Sequence, residues 1–84
     1  MKLLQHIQKL PNGYSEVCYN DTKYGVTKSV FNNGKSFKVF ASKLGGKDFI
    51  SLNYYCTRQR EILKPCEMPE AKVIHFLENY ELIC

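Results

Sequence analysis

The segment Lys35–Tyr55, KSFKVFASKLGGKDFISLNYY, decides the fold. It holds two alternating runs, SFKVFASKL and DFISLNYYC when extended by one residue, separated by Gly45-Gly46. Period-two alternation bounded by a glycine turn predicts two antiparallel strands. Phe37, Val39 and Ala41 fall on one face, with Ile50, Leu52 and Tyr54 as their natural companions on the next strand. Lys38, Phe40, Phe49, Ser51, Asn53 and Tyr55 fall on the other.

Working outward, Asn32-Asn33-Gly34 precedes this segment, and Asn-Gly is the strongest short hairpin signal. Counting out from a two-residue turn at Asn33-Gly34 pairs Val30 with Phe37, Ser29 with Lys38, Thr27 with Phe40 and Val26 with Ala41. The strand TKYGVTKSVF is preceded by a further turn at Asn20-Asp21 and by GYSEVCY. Val26 and Val30 join the apolar face and Thr27 and Ser29 the polar one. Lys28 lands on the apolar face against the pattern, so it either snorkels outward or marks a bulge.

Leu3, Leu4, Ile7 and Leu10 recur at helical spacing until Pro11-Asn12-Gly13, which predicts a short N-terminal helix. After Arg58-Gln59-Arg60-Glu61, the segment Ile62-Leu63-Lys64-Pro65 reads as a short extended return. Pro69 at a first helical position, followed by Glu70, opens a last helix carrying Val73, Ile74, Leu77 and Tyr80 on one face. The expected architecture is a single α+β domain over residues 1–84: a four-stranded antiparallel meander with an N-terminal helix, and a C-terminal helix packed on one face (α-β-β-β-β-α).

Eighty-four residues support a thin core and leave little room for a deep enzymatic cavity. The net charge of +4 is unevenly spread. From Thr22 to Arg60 there are eight basic residues against one acid, Asp48, a balance of +7; the remainder has four basic residues against seven acids, −3. With Glu70, Glu78 and Glu81 on the last helix, the molecule is expected to be bipolar. Its basic strand side suits phosphates or an acidic partner. Lysines on exposed strands also serve simply to keep sheets from pairing.

Gln5, His6, Gln8 and Lys9 interrupt the N-terminus before a secretory apolar segment develops, and no run approaches a membrane span. Absence of membrane association, a cytoplasmic location and reduced cysteines are therefore expected. Cys56, Cys66, His75 and Cys84 are zinc-ligand types without the short pair spacing of structural sites, so neither a metal nor a cofactor is expected. Cys66, just ahead of the last helix, is the candidate for thiol chemistry. His6 and His75 both fall on helices and cannot be placed beside it from sequence. No glycine-rich phosphate loop is present, and no catalytic residues are assigned.

Binders of single strands combine cations that follow the phosphates with aromatics on which bases stack. Phe40 and Tyr55, with Lys38 beside them, meet that requirement. Lys28, Arg58 and Arg60 would extend the cationic track, and Asn53 and Ser51 would hydrogen-bond bases or sugars. The candidate nucleic-acid-binding set is thus Lys28, Lys38, Phe40, Asn53, Tyr55, Arg58 and Arg60. The competing use of the same aromatics is burial beneath the N-terminal helix or in a dimer interface.

The segment Phe49–Asn79, FISLNYYCTRQREILKPCEMPEAKVIHFLEN, resembles the single-stranded-DNA-binding domain of the positive-cofactor transcriptional coactivators and their small bacterial relatives. The likeness lies in the strand ending Tyr54-Tyr55, the loop to Leu63-Lys64-Pro65 and the closing helix. It implies a four-stranded meander with a C-terminal helix, a homodimer, and single-strand binding through Lys38, Phe40 and Tyr55. The chain departs from that pattern in three places. Asn53 replaces a basic residue, Cys66-Glu67-Met68-Pro69 stands before the helix, and Phe76 is nearest to the usual helix tryptophan. The chain as a whole also resembles short bacterial proteins, a likeness that implies no chemistry.

The leading expectation is a non-enzymatic module binding single-stranded DNA or RNA. The alternatives are a protein-interaction module that docks an acidic partner and, third, a thiol-dependent redox protein centred on Cys66.

Overall fold

The computed structural model describes residues 3–82, so Cys84 lies outside it. The elements run α1 (Leu3–Gln8), β1 (Gly13–Tyr19), β2 (Thr22–Phe31), β3 (Ser36–Lys43), β4 (Phe49–Cys56), β5 (Glu61–Pro65) and α2 (Glu70–Asn79). All five strands form one antiparallel meander in the order β1-β2-β3-β4-β5.

The expected sheet is therefore one strand short. The extended return after β4 is a fifth strand, pairing Tyr54 with Leu63 and Asn53 with Lys64. The turn before it is tied by Thr57, whose hydroxyl donates to the Arg60 carbonyl at 3.0 Å and accepts from the Arg60 amide at 3.1 Å. That closure brings the chain back alongside β4. Pro65 is tolerated because β5 is an edge, where a missing N–H leaves no ladder bond unmade.

The β2–β3 register is the expected one: Val30 faces Phe37, Ser29 faces Lys38, Thr27 faces Phe40 and Val26 faces Ala41. The connection itself is longer than two residues. The ladder ends at Phe31–Ser36, and Asn32, Asn33 and Gly34 all take positive φ (53°, 57° and 86°). Asn and Gly are the residues that enter this left-handed region at least cost. The loop is centred on the same residues, so the register is unchanged. Asn20 and Asp21 (φ 52° and 59°) form the tight β1–β2 turn.

One hydrophobic cluster lies between the sheet and both helices. Val26, Phe37, Val39, Ile50, Leu52 and Tyr54 supply the sheet side. Leu3, Ile7 and Leu10 meet them from the N-terminal segment, and Val73, Phe76 and Leu77 from α2. Phe76, rather than Ile74, holds the centre of the α2 stripe. Its ring contacts those of Tyr19, Tyr24 and Tyr80 at centroid distances of 5.0, 5.9 and 5.6 Å. Pro69 is extended (ψ 145°) and lies just before α2 instead of inside it.

Lys28 stays in register and on the apolar face, only 5% exposed. Its Nζ donates to the carbonyls of Ile7 (3.1 Å) and Leu10 (2.6 Å) and stands 5.7 Å from the centre of the Phe37 ring. The last carbonyls of a helix have no intrahelical partner, and α1 has only six residues, too few to persist unaided. Lys28 joins the Leu10 amide on the Ile7 carbonyl and takes the Leu10 carbonyl just past the helix, and the Tyr80 hydroxyl donates to a third carbonyl, that of His6. Burial lowers the Lys28 pKa. Neither a snorkel nor a bulge is needed, and Lys28 does not belong to the binding set expected from sequence.

A second polar tie fixes α2. Asp48 accepts from the Tyr24 hydroxyl and from Lys72 Nζ, both at 2.7 Å, which joins the β3–β4 turn to the helix. These two donors, Lys72 foremost, hold the Asp48 carboxyl below its usual range.

Candidate nucleic-acid interface

Side chains on the sheet face opposite the core form rows across the strands, set by the pairing. One row is Phe31–Ser36–Tyr55–Ile62. The next is Ser29–Lys38–Asn53–Lys64. The third is Tyr14–Thr27–Phe40–Ser51, and the fourth Glu16–Gly25–Ser42–Phe49. Successive rows lie two residues apart along each strand, about 6.8 Å.

Two aromatic groups therefore flank a polar, cationic row. On one side Phe40 (43% exposed) stacks on Phe49, centroids 6.0 Å apart and planes inclined by 26°. Tyr14 leans over Gly25; a Cβ there would lie 2.6 Å from the Tyr14 hydroxyl oxygen. On the other side stand Phe31 and Tyr55, 53% and 37% exposed. Lys38 and Lys64, both exposed, bracket half-buried Asn53 between these groups. Glu16 is the one acid in the four rows. The exposed acids Glu70 and Glu78 belong to α2, on the far side of the sheet, and Glu81 lies at the β1 edge.

Of the seven residues picked out from sequence, Lys38, Phe40, Asn53 and Tyr55 share this face. Lys28 lies on the other. Arg58 and Arg60 sit in the exposed β4–β5 turn and part company there. Arg58 lies beside Lys35 and Cys56, at the Tyr55 end of the sheet. Arg60 lines a cavity of about 360 Å³ with Leu3, Tyr54 and Glu70 on the helix side, so it does not extend the track. Sequence reasoning passed over Phe31, Tyr14 and Lys64. Tyr14 and Phe31 have the parity of the polar face, which the alternation of β1 and β2 could have disclosed. Lys64 required β5 to be recognised as a strand.

Among the described residues the free thiols are Cys56 and Cys66. Cys18 is disulfide-bonded, so the expectation that every cysteine is reduced fails there. Its backbone also exchanges two 2.8 Å hydrogen bonds with Glu81, which fixes the segment after α2 against the β1 edge. Cys66 is separated from α2 by Glu67, Met68 and Pro69, and its Sγ accepts from Asn53 Nδ2 at 3.5 Å. It belongs to the end of β5 rather than to a helix N-terminus. His75 is engaged through Nδ1 with the Tyr19 hydroxyl. Among the described residues no group of three His, Cys, Asp or Glu side chains is placed to hold a metal, and no helix is long and apolar enough to cross a membrane.

No family model matches the chain, and no curated protein or solved structure matches it significantly. The fold and the face define a class of architecture: an α+β protein with both helices on one side of a five-stranded antiparallel sheet.

Proposed function

We propose that this protein is a non-enzymatic module that binds single-stranded nucleic acid on the open face of its sheet. The observation that carries the reading is the pattern of rows: exposed aromatics on both sides of Lys38–Asn53–Lys64, on a face that neither helix covers. Bases lose their pairing partners when a duplex opens and are then free to stack on aromatic rings, without regard to sequence. Lys38 and Lys64 neutralise phosphates, with Lys35 and Arg58 continuing the positive charge beyond Tyr55.

The exposure of Phe40 and Tyr55 favours stacking over burial beneath α1. A face-to-face homodimer would bring two lysine rows together, whereas a polyanion is complementary to them. An acidic protein is the competing occupant, because aromatics and cations also suit protein interfaces.

Titration of the purified protein with a fluorescent poly-pyrimidine single strand and a matched duplex, at low and physiological salt, tests the proposal. The single strand should bind preferentially, with log affinity falling against log salt by about 0.7 per phosphate neutralised. Lys38→Ala combined with Tyr55→Ala should weaken binding and flatten the slope. If this double variant binds with unchanged affinity and slope, the open face is not the nucleic-acid site. Failure to bind at low salt, with capture of an acidic peptide instead, would transfer the face to a protein partner.

A further inference from the structure

Resting on that reading, the row geometry specifies how a strand lies. Phe40 is on β3 and Tyr55 on β4, four residues apart in register, since Phe40 faces Ser51 and Tyr55 faces Ser36. Four residues along an antiparallel strand and one strand across amount to about 14 Å. A stacked single strand advances about 3.4 Å per nucleotide, so adjacent bases stacked on one another cannot place neighbours on both rings. The separation matches two nucleotide steps stretched to about 6.8 Å each, the spacing of the rows themselves.

We infer that the face holds a nucleic-acid single strand in an alternating register: nucleotides one and three stack on Phe40 and Tyr55, and nucleotide two stands over the Lys38–Asn53 pair. The arrangement follows the track above β3 and β4. Lys38 and Asn53 lie side by side between the two rings, with Lys64 beyond Asn53 on β5, so a cation borders the middle nucleotide on each edge of the track. Asn53 spends one N–H on Cys66 Sγ, a weak acceptor. Its carbonyl oxygen and second N–H are free among the described contacts to meet the middle base edge. No ring is available to stack that base, because the middle row contains Ser29, Lys38, Asn53 and Lys64.

Three thymidine trinucleotides, each with the fluorescent base 2-aminopurine at one position, test the register at low salt beside a twelve-residue thymidine tract. The ends should change emission on binding and the middle should not. Phe40→Leu should abolish the response at one end and Tyr55→Leu at the other, each weakening binding by about 5- to 150-fold, the equivalent of one base–aromatic stack. The expected result sets the register. Equal responses at all three positions, with the twelve-residue tract bound, would overturn the alternating register and leave the proposed function standing. No binding of either the tract or the trinucleotides would overturn both.

Discussion

The two faces of the sheet come from the same strands, one residue out of phase, yet they have opposite surroundings. Val39 is wholly buried, whereas Phe40, the next residue on β3, is 43% exposed. On β4, Tyr54 is wholly buried and Tyr55 is 37% exposed. One face has both helices, the cluster around Phe76 and the polar ties of Lys28 and Asp48. The other has aromatics of similar size with neither helix above them. Stability accounts for the first set of rings, because burying a large aromatic removes much apolar surface from water. It does not account for the second. Lysines are also used differently on the two faces: Lys28 is locked onto two carbonyls, while Lys38 and Lys64 stand free at the surface among stacked and exposed rings.

Substitutions can break this comparison, the largest effect coming from the covered face. Phe76→Ala should cost about 3–5 kcal/mol of stability, measured by denaturant unfolding, while the fraction still folded keeps its affinity for a single strand. Lys28→Met strands the carbonyl of Leu10 and leaves that of Ile7 with the Leu10 amide alone. A cost of about 1–3 kcal/mol is expected, with amide exchange accelerating across Leu3–Leu10 before the strands.

On the open face the weight shifts from stability to binding. Phe40→Ala should lower single-strand affinity by about 5- to 150-fold but cost only about 1 kcal/mol of stability, chiefly its contact with Phe49. A large loss of stability in Phe40→Ala would show that the two faces are not distinct in this way. Lys38→Gln with Lys64→Gln should reduce the salt slope by about 1.4, two phosphates at about 0.7 each.

The smallest effect is a dependence on acid. Lys72 and Tyr24 hold the Asp48 carboxyl below its ordinary pKa. The stability it contributes is present above about pH 4, the unfolded value, and is lost as pH falls through the lower folded one. Both partners are partly solvent-exposed, so the loss is modest. Asp48→Asn should flatten unfolding free energy against pH in that acid range and leave binding unchanged.

Local rules made much of the sheet legible. Asn32-Asn33-Gly34 fixed the centre of a hairpin, and parity then assigned every β2 and β3 side chain to a face whether the loop held two residues or four. Phe40 and Tyr55 were placed on the open face by the same parity, and the pairing keeps Lys38 and Asn53 between them. What escaped depended on tertiary partners. Ile62-Leu63 is too short an apolar run to signal a strand alone, and its pairing needed the Thr57 turn. Lys28 looked misplaced because the carbonyls it serves belong to α1 and the turn after it, eighteen and more residues earlier. Arg58 and Arg60 are two residues apart in one turn, and nothing in that spacing sends Arg60 to the helix side.

The division of labour between the faces is tested most directly by following aromatic side-chain NMR signals while a thymidine tract is added at low salt. Ring protons of Phe40, Phe49 and Tyr55 should shift progressively and saturate, while those of Phe37, Tyr54 and Phe76 barely move. Saturable shifts confined to the second group, or no shifts in either, would contradict a stacking platform on the open face.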